Sequence, residues 1–115
     1  MTTNLRRTNG TKRDRIRRRV LREETYCHLC GQRVDVQLPA GLPASPEVDE
    51  LVPVALGGSP FDRTNCRLAH RWCNRKRWHK PVEPARAELH ANPPIYDAAG
   101  QRHDTALTPV VSRAW

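Results

Sequence analysis

Cys27-His28-Leu29-Cys30-Gly31 and, further on, Leu68-Ala69-His70-Arg71-Trp72-Cys73-Asn74 are the two stretches on which the fold turns. In the first, two thiols are separated by two residues and followed by glycine, the tight turn in which both sulfurs can face one metal ion. A tetrahedral Zn2+ site needs a second pair, and His70 and Cys73 repeat the two-residue gap at the start of a predicted helix. Cys66 competes, because residues 66, 70 and 73 share one face if that helix extends so far back. The favoured ligands are Cys27, Cys30, His70 and Cys73, with Cys66 as a small buried hydrophobe. A disulfide framework and a redox C-x-x-C are the weaker alternatives, since neither a secretory signal nor a thioredoxin-like βαβ pattern is visible.

Working outward, Val34, Val36 and Leu38 alternate and predict a short strand, followed by a Pro/Gly/Ala loop from Pro39 to Pro46. Val48 to Val54 form a second β-prone run that ends at Gly57-Gly58, and a polar loop passes through Asn65. The helical pattern then runs from about Leu68 to His79, where Pro81 stops it. Upstream, Lys12 to about Glu24 are strong helix formers with Ile16 and Val20 one turn apart. Residues 1–12, with Gly10 as a breaker, read as disordered, and residues 81–115, rich in Pro and Ala, as an extended tail packed loosely on the domain. The division is a basic arm over residues 1–24, a central domain over 25–80 and the tail over 81–115. Within that frame His28 reads as solvent-facing, and Trp72 and Trp78 as packing residues.

The chain of 115 residues has a formal charge of +8, and its leader carries all of it: residues 1–22 hold nine Lys or Arg against Asp14 alone. Such an arm meets a polyanion, where phosphate neutralisation gives affinity without sequence preference; a solvated tail is the plainer alternative. Arg17 and Arg18 represent it among the candidate nucleic-acid contacts. Along the predicted helix Arg67, Arg71 and Arg75 are four apart and form a ridge that Lys76 and Arg77 extend. No apolar run approaches the ~20 residues of a membrane helix, and the sequence predicts a soluble, cytoplasmic chain without a membrane partner, monomeric or weakly dimeric. With 37% hydrophobic residues and ten prolines, a large core is excluded and a staple such as a metal ion is expected.

Between the halves of the metal site lie Asp49, Glu50, Asn65 and Asn74, hard oxygen donors suited to Mg2+ or Mn2+. Ordinary exposed carboxylates are the alternative, and on a strand Asp49 and Glu50 point to opposite faces.

In this order, Val48-Asp49-Glu50-Leu51-Val52-Pro53, Gly57-Gly58, Asn65 and Leu68 through Lys76, preceded by the Cys27/Cys30 knuckle, resemble the HNH endonucleases of the zinc-knuckle, phage type. The resemblance covers roughly residues 25–80 and implies a small α+β fold, a ββα-metal finger stapled by a structural zinc. It implies cleavage of double-stranded DNA with one divalent cation, and a setting in phage DNA packaging beside the terminase, in the host cytoplasm. By position it makes Asp49 and Asn74 ligands of the catalytic Mg2+ or Mn2+, and Asn65 the brace that orients the general base. Glu50 stands where the family has its histidine base, and a carboxylate can take that role. Two other function classes stay open: a non-catalytic zinc module that binds DNA, and a zinc domain for protein contacts.

Overall fold

β1 (Pro46–Glu50) and β2 (Cys66–His70) pair antiparallel in the register Pro46↔His70 through Glu50↔Cys66, and α2 (Arg71–Arg77) follows directly on β2. The structure is a computed structural model that describes residues 2–103, with side chains from residue 10 onward. Around this central unit lie α1 (Thr2–Glu23), α3 (Val82–Ala91) and a second antiparallel pair, β3 (Ile95–Tyr96) with β4 (Arg102–His103). The described residues thus form a small α+β chain of three helices and two small antiparallel sheets. None of these helices is long and apolar enough to cross a membrane.

Several sequence expectations are corrected here. The predicted helix from Leu68 splits: Leu68, Ala69 and His70 belong to β2, because β1 offers a complete hydrogen-bonding edge and pairing outweighs the helix preference of Leu and Ala. The strand expected over Val34, Val36 and Leu38 is replaced by a single bridge, Tyr26 to Arg33, and a turn. There the Asp35 carboxylate accepts the Gln37 amide at 2.9 Å, a local bond that diverts the backbone from a ladder. The arm expected to be disordered up to residue 12 is helical from Thr2, and Gly10 does not break it. The described part of the tail, residues 81–103, holds regular structure: Pro81 starts α3, Pro84 sits in its first turn where a missing N–H is harmless, and Ala85 and Leu89 bury one turn apart. Arg6, Arg7 and residues 104–115 lie outside the residues whose side chains or backbone are described.

The core is small and rich in sulfur. Val20, Leu29, Val34, Leu68, Ala69, Ala85 and Leu89 close around Cys27, Cys30, Cys66 and Cys73. The C-terminal end of α1 is tied to this core by charge. Glu24 accepts from the Leu68 amide (3.1 Å), Arg63 (2.8 Å) and Arg67 (3.0 Å), while Glu23 accepts from Arg63 at 2.9 Å. Burial opposes the charged form of Glu24, but these donors outweigh it and hold its carboxyl below the ordinary 4.5. A depressed folded value means that the stabilisation is complete above pH 4.5 and is lost as the pH falls below it. Glu24→Gln is therefore expected to lower stability at neutral pH by about 1–3 kcal/mol, a deficit that shrinks on acidification, as paired urea titrations would read.

Candidate functional site

The thiols of Cys27, Cys30 and Cys73 and one ring nitrogen of His70 lie within 4.8 Å of one another, and all four residues are buried. The knuckle supplies two of them. Gly31, at φ +82°, lets the chain reverse so that its amide meets the Cys27 carbonyl at 2.8 Å. The end of β2 and the first turn of α2 supply the others. All four cysteines are free thiols here, and Cys66 stands outside the cluster with its sulfur 3.6 Å from the Pro60 carbonyl.

The donor set fits a soft or borderline cation, and a Cys3His group of this kind could hold a metal ion such as zinc. Its surroundings fit as well. His70 Nε2 donates to the Arg33 carbonyl at 2.9 Å, which leaves Nδ1 free to face the sulfurs. The Cys30 amide (3.5 Å to Cys27 Sγ) and the Gln32 amide (3.7 Å to Cys30 Sγ) lean on the thiols, and Tyr96 Oη lies 3.1 Å from Cys73 Sγ. Contacts with Cys30 and Cys73 drive the Cys27 thiol strongly down, whereas Cys27 and Cys30 drive Cys73 strongly up. Burial disfavours the His70 imidazolium, yet Cys27 and Cys30 overcome this and push it up to about 9.

Behind β1 lies a second buried group. Asp49 Oδ2 accepts from His28 Nε2 at 2.7 Å, and Arg77 Nη1 lies 2.9 Å from both carboxylate oxygens. Arg86 Nη2 stands 3.0 Å from His28 Nδ1, and because arginine only donates, Nδ1 accepts and the proton of His28 is on Nε2. Two expectations change here. His28 is buried, not solvent-facing, because it bridges Arg86 on α3 and Asp49 on β1. Asp49 does not face an open cation position, since both its oxygens are committed to Arg77 and His28.

Other candidate residues border a groove of about 360 Å3 in which Glu47, Asp49, Glu50, Asn74, Trp78 and His79 all take part. Among the described residues the Glu50 carboxylate has no hydrogen-bond or ion-pair partner. The Asn74 side chain donates from Nδ2 to Glu47 at 3.0 Å and keeps its Oδ1 unengaged among the described residues. Asn65 staples the loop beside the groove: its amide donates to the carbonyls of Val52 (3.0 Å) and Ser59 (3.1 Å) and accepts from the Val52 amide (2.9 Å). Gly58 completes the staple, because a Cβ there would collide with the Val52 carbonyl. Glu50 also lines a cleft of about 340 Å3 against Arg13 and Arg17 of α1.

The basic residues do not form the ridge that the helical pattern implied. Arg67 lies on β2 and pairs with Glu24, and Arg77 is only 1% exposed. Arg71 and Arg75 remain one turn apart on α2, both near Glu47 (3.6 and 3.8 Å), and Lys76 pairs with Glu88 at 3.2 Å. Arg17 and Arg18 are exposed on α1. The packing role expected of Trp78 is also corrected: it is 69% exposed, whereas Trp72 is half-buried beneath Arg102.

Glu47, Gln32, Arg86 and Tyr96 escaped sequence reading. Glu47 had a signal, lying two residues before Asp49 and so on the same face of the strand. Tyr96 had none, because no spacing connects it to the cysteines. Compared with known proteins, the chain matches no family model, no curated protein and no solved structure.

Proposed function

We propose that the protein is a metal-dependent DNA endonuclease that hydrolyses phosphodiester bonds in the manner of the HNH enzymes it resembles. The observation that carries this reading is the groove, where an unpaired Glu50 carboxylate and the free side-chain Oδ1 of Asn74 border the same space beside a stapled loop. In this reading zinc in the Cys3His cluster is structural, and it holds β2 and α2 to the knuckle. Glu50 takes the proton of the attacking water. A Mg2+ or Mn2+ ion, when bound, supplies charge for the phosphate and the leaving 3′ oxygen. Asn74 and Glu47 are the oxygen donors for it; Glu47, with Arg71 and Arg75 no nearer than 3.6 and 3.8 Å, replaces Asp49, both of whose oxygens are held at 2.9 Å by Arg77. Asn65 keeps the loop from drifting over Glu50, and Arg17, Arg18, Arg71 and Arg75 meet the DNA backbone.

The substitution of glutamate for the usual base favours one second reading, a zinc-containing DNA-binding module without catalysis. Conversion of supercoiled plasmid in Mg2+ or Mn2+ separates the two. Cleavage is expected, with Glu50→Ala and Asn74→Ala each reducing it by about 100-fold or more. Binding without cleavage at full metal content would leave the second reading. Beside a terminase, the plasmid would be replaced by packaged phage DNA, a setting the resemblance alone supports.

A further inference from the structure

Trp78 closes α2 in a conformation that few side chains tolerate. Its φ of +54° lies in the region that favours glycine, and its amide still caps the helix by donating to the Asn74 carbonyl at 3.0 Å. The ring is not used to fill the core: Trp78 is 69% exposed. It lies parallel to the His79 ring, with centroids 4.9 Å apart and planes 5° from each other. A buried position would explain strain in a bulky side chain; an exposed one leaves the strain without a packing reason.

The neighbourhood indicates the occupant. Trp78 and His79 line the same groove as Glu50 and Asn74. Arg75, whose side chain is 62% exposed, borders it too, and Lys80 is exposed next to the pair. A flat aromatic surface flanked by positive charge matches a nucleobase with its phosphate. A paired base in B-form DNA has its faces covered by its neighbours, so the ligand must offer a base outside the stack.

We propose that Trp78, backed by His79, is a stacking platform for an unpaired nucleobase, so that the groove takes single-stranded or locally unpaired DNA. The proposal rests on the nuclease reading for the identity of the groove, and it adds the form of the substrate. Trp78 is here a binding residue, distinct from the groups that act on the phosphate.

The test is equilibrium binding of the zinc-loaded full chain, without added Mg2+ or Mn2+, to three labelled probes of equal length. These are oligo-dT, an abasic oligomer with the same phosphates, and a blunt duplex. The variants are Trp78→Gly, which relieves the backbone strain, and Trp78→Phe, which keeps a ring. Expected are quenching of the fluorescence that Trp78→Gly lacks when oligo-dT binds, and a loss of about ten-fold in oligo-dT affinity for Trp78→Gly. Trp78→Phe should recover most of it, and abasic binding should not change. Equal affinity of wild type and Trp78→Gly for oligo-dT would overturn the platform and leave the nuclease reading standing. An equal loss on the abasic probe would also overturn it, since charge or folding would then be the cause. Failure of the wild type to bind any probe would overturn the platform and the nuclease reading together.

Discussion

Chelating the zinc proposed for the Cys3His cluster, or replacing Cys73 with serine, is expected to unfold the chain, with a loss on the order of 10 kcal/mol. That is comparable with the whole of the roughly 5–15 kcal/mol that holds a typical domain together. The reason is architectural. The four residues of the cluster come from the knuckle, the end of β2 and α2; all are buried, and the three thiols are part of the core itself. Without a cation, mutually close thiols and an imidazole must be packed together, and few apolar side chains remain to replace them. Far-UV circular dichroism and thermal melts with and without chelator would read the effect, alongside metal release titrated with a thiol reagent. Cys66→Ser supplies the contrast. It is equally buried but outside the ligand group, so it should retain one metal ion per chain and lose no more than about 1–2 kcal/mol.

Arg77→Met should be the most damaging single change away from the cysteines, by about 3–5 kcal/mol. Every donor group of this guanidinium is committed: Nε to the Lys80 carbonyl, Nη1 to Asp49 and the Glu50 carbonyl, and Nη2 to the Leu51 carbonyl at 2.8 Å. Removal leaves a buried carboxylate with His28 alone and frees three backbone carbonyls. At about 4–8 °C per kcal/mol, the melting temperature should fall by about 12–40 °C. The double variant Asp49→Asn with Arg77→Met removes the orphaned charge and should recover part of the loss. Metal content of the folded fraction should be unchanged, which separates this defect from collapse of the ligand group. Arg77 was expected to touch DNA; its variant should instead leave phosphate affinity unaltered once the protein is folded.

What could be read from the residues depended on how local the cause was. The Cys27 and Cys30 turn is a short-range device, so spacing and Gly31 located it, and the same gap at His70 and Cys73 found its complement. Asn65 and Glu50 were singled out by resemblance, and how either would be partnered was not legible. The boundary between β2 and α2 was hidden because Cys66-Arg67-Leu68-Ala69-His70 has no β-branched residue, and only β1 makes it a strand. Ala85 and Leu89 were a readable helical signal that the surrounding prolines obscured. Asp49, Arg77, His28 and Arg86 come from four separate segments, and such a network has no signature in one dimension.

The contact between Tyr96 and Cys73 ties a distant segment to the sulfur cluster. Tyr96, 23 residues after Cys73, places its hydroxyl 3.1 Å from that sulfur and its ring 4.2 Å from the ring of His70. The β3–β4 pair that carries this tyrosine therefore covers part of the Cys3His group, and the escape rate of a cation held there would follow the opening of that small hairpin as well as of the knuckle.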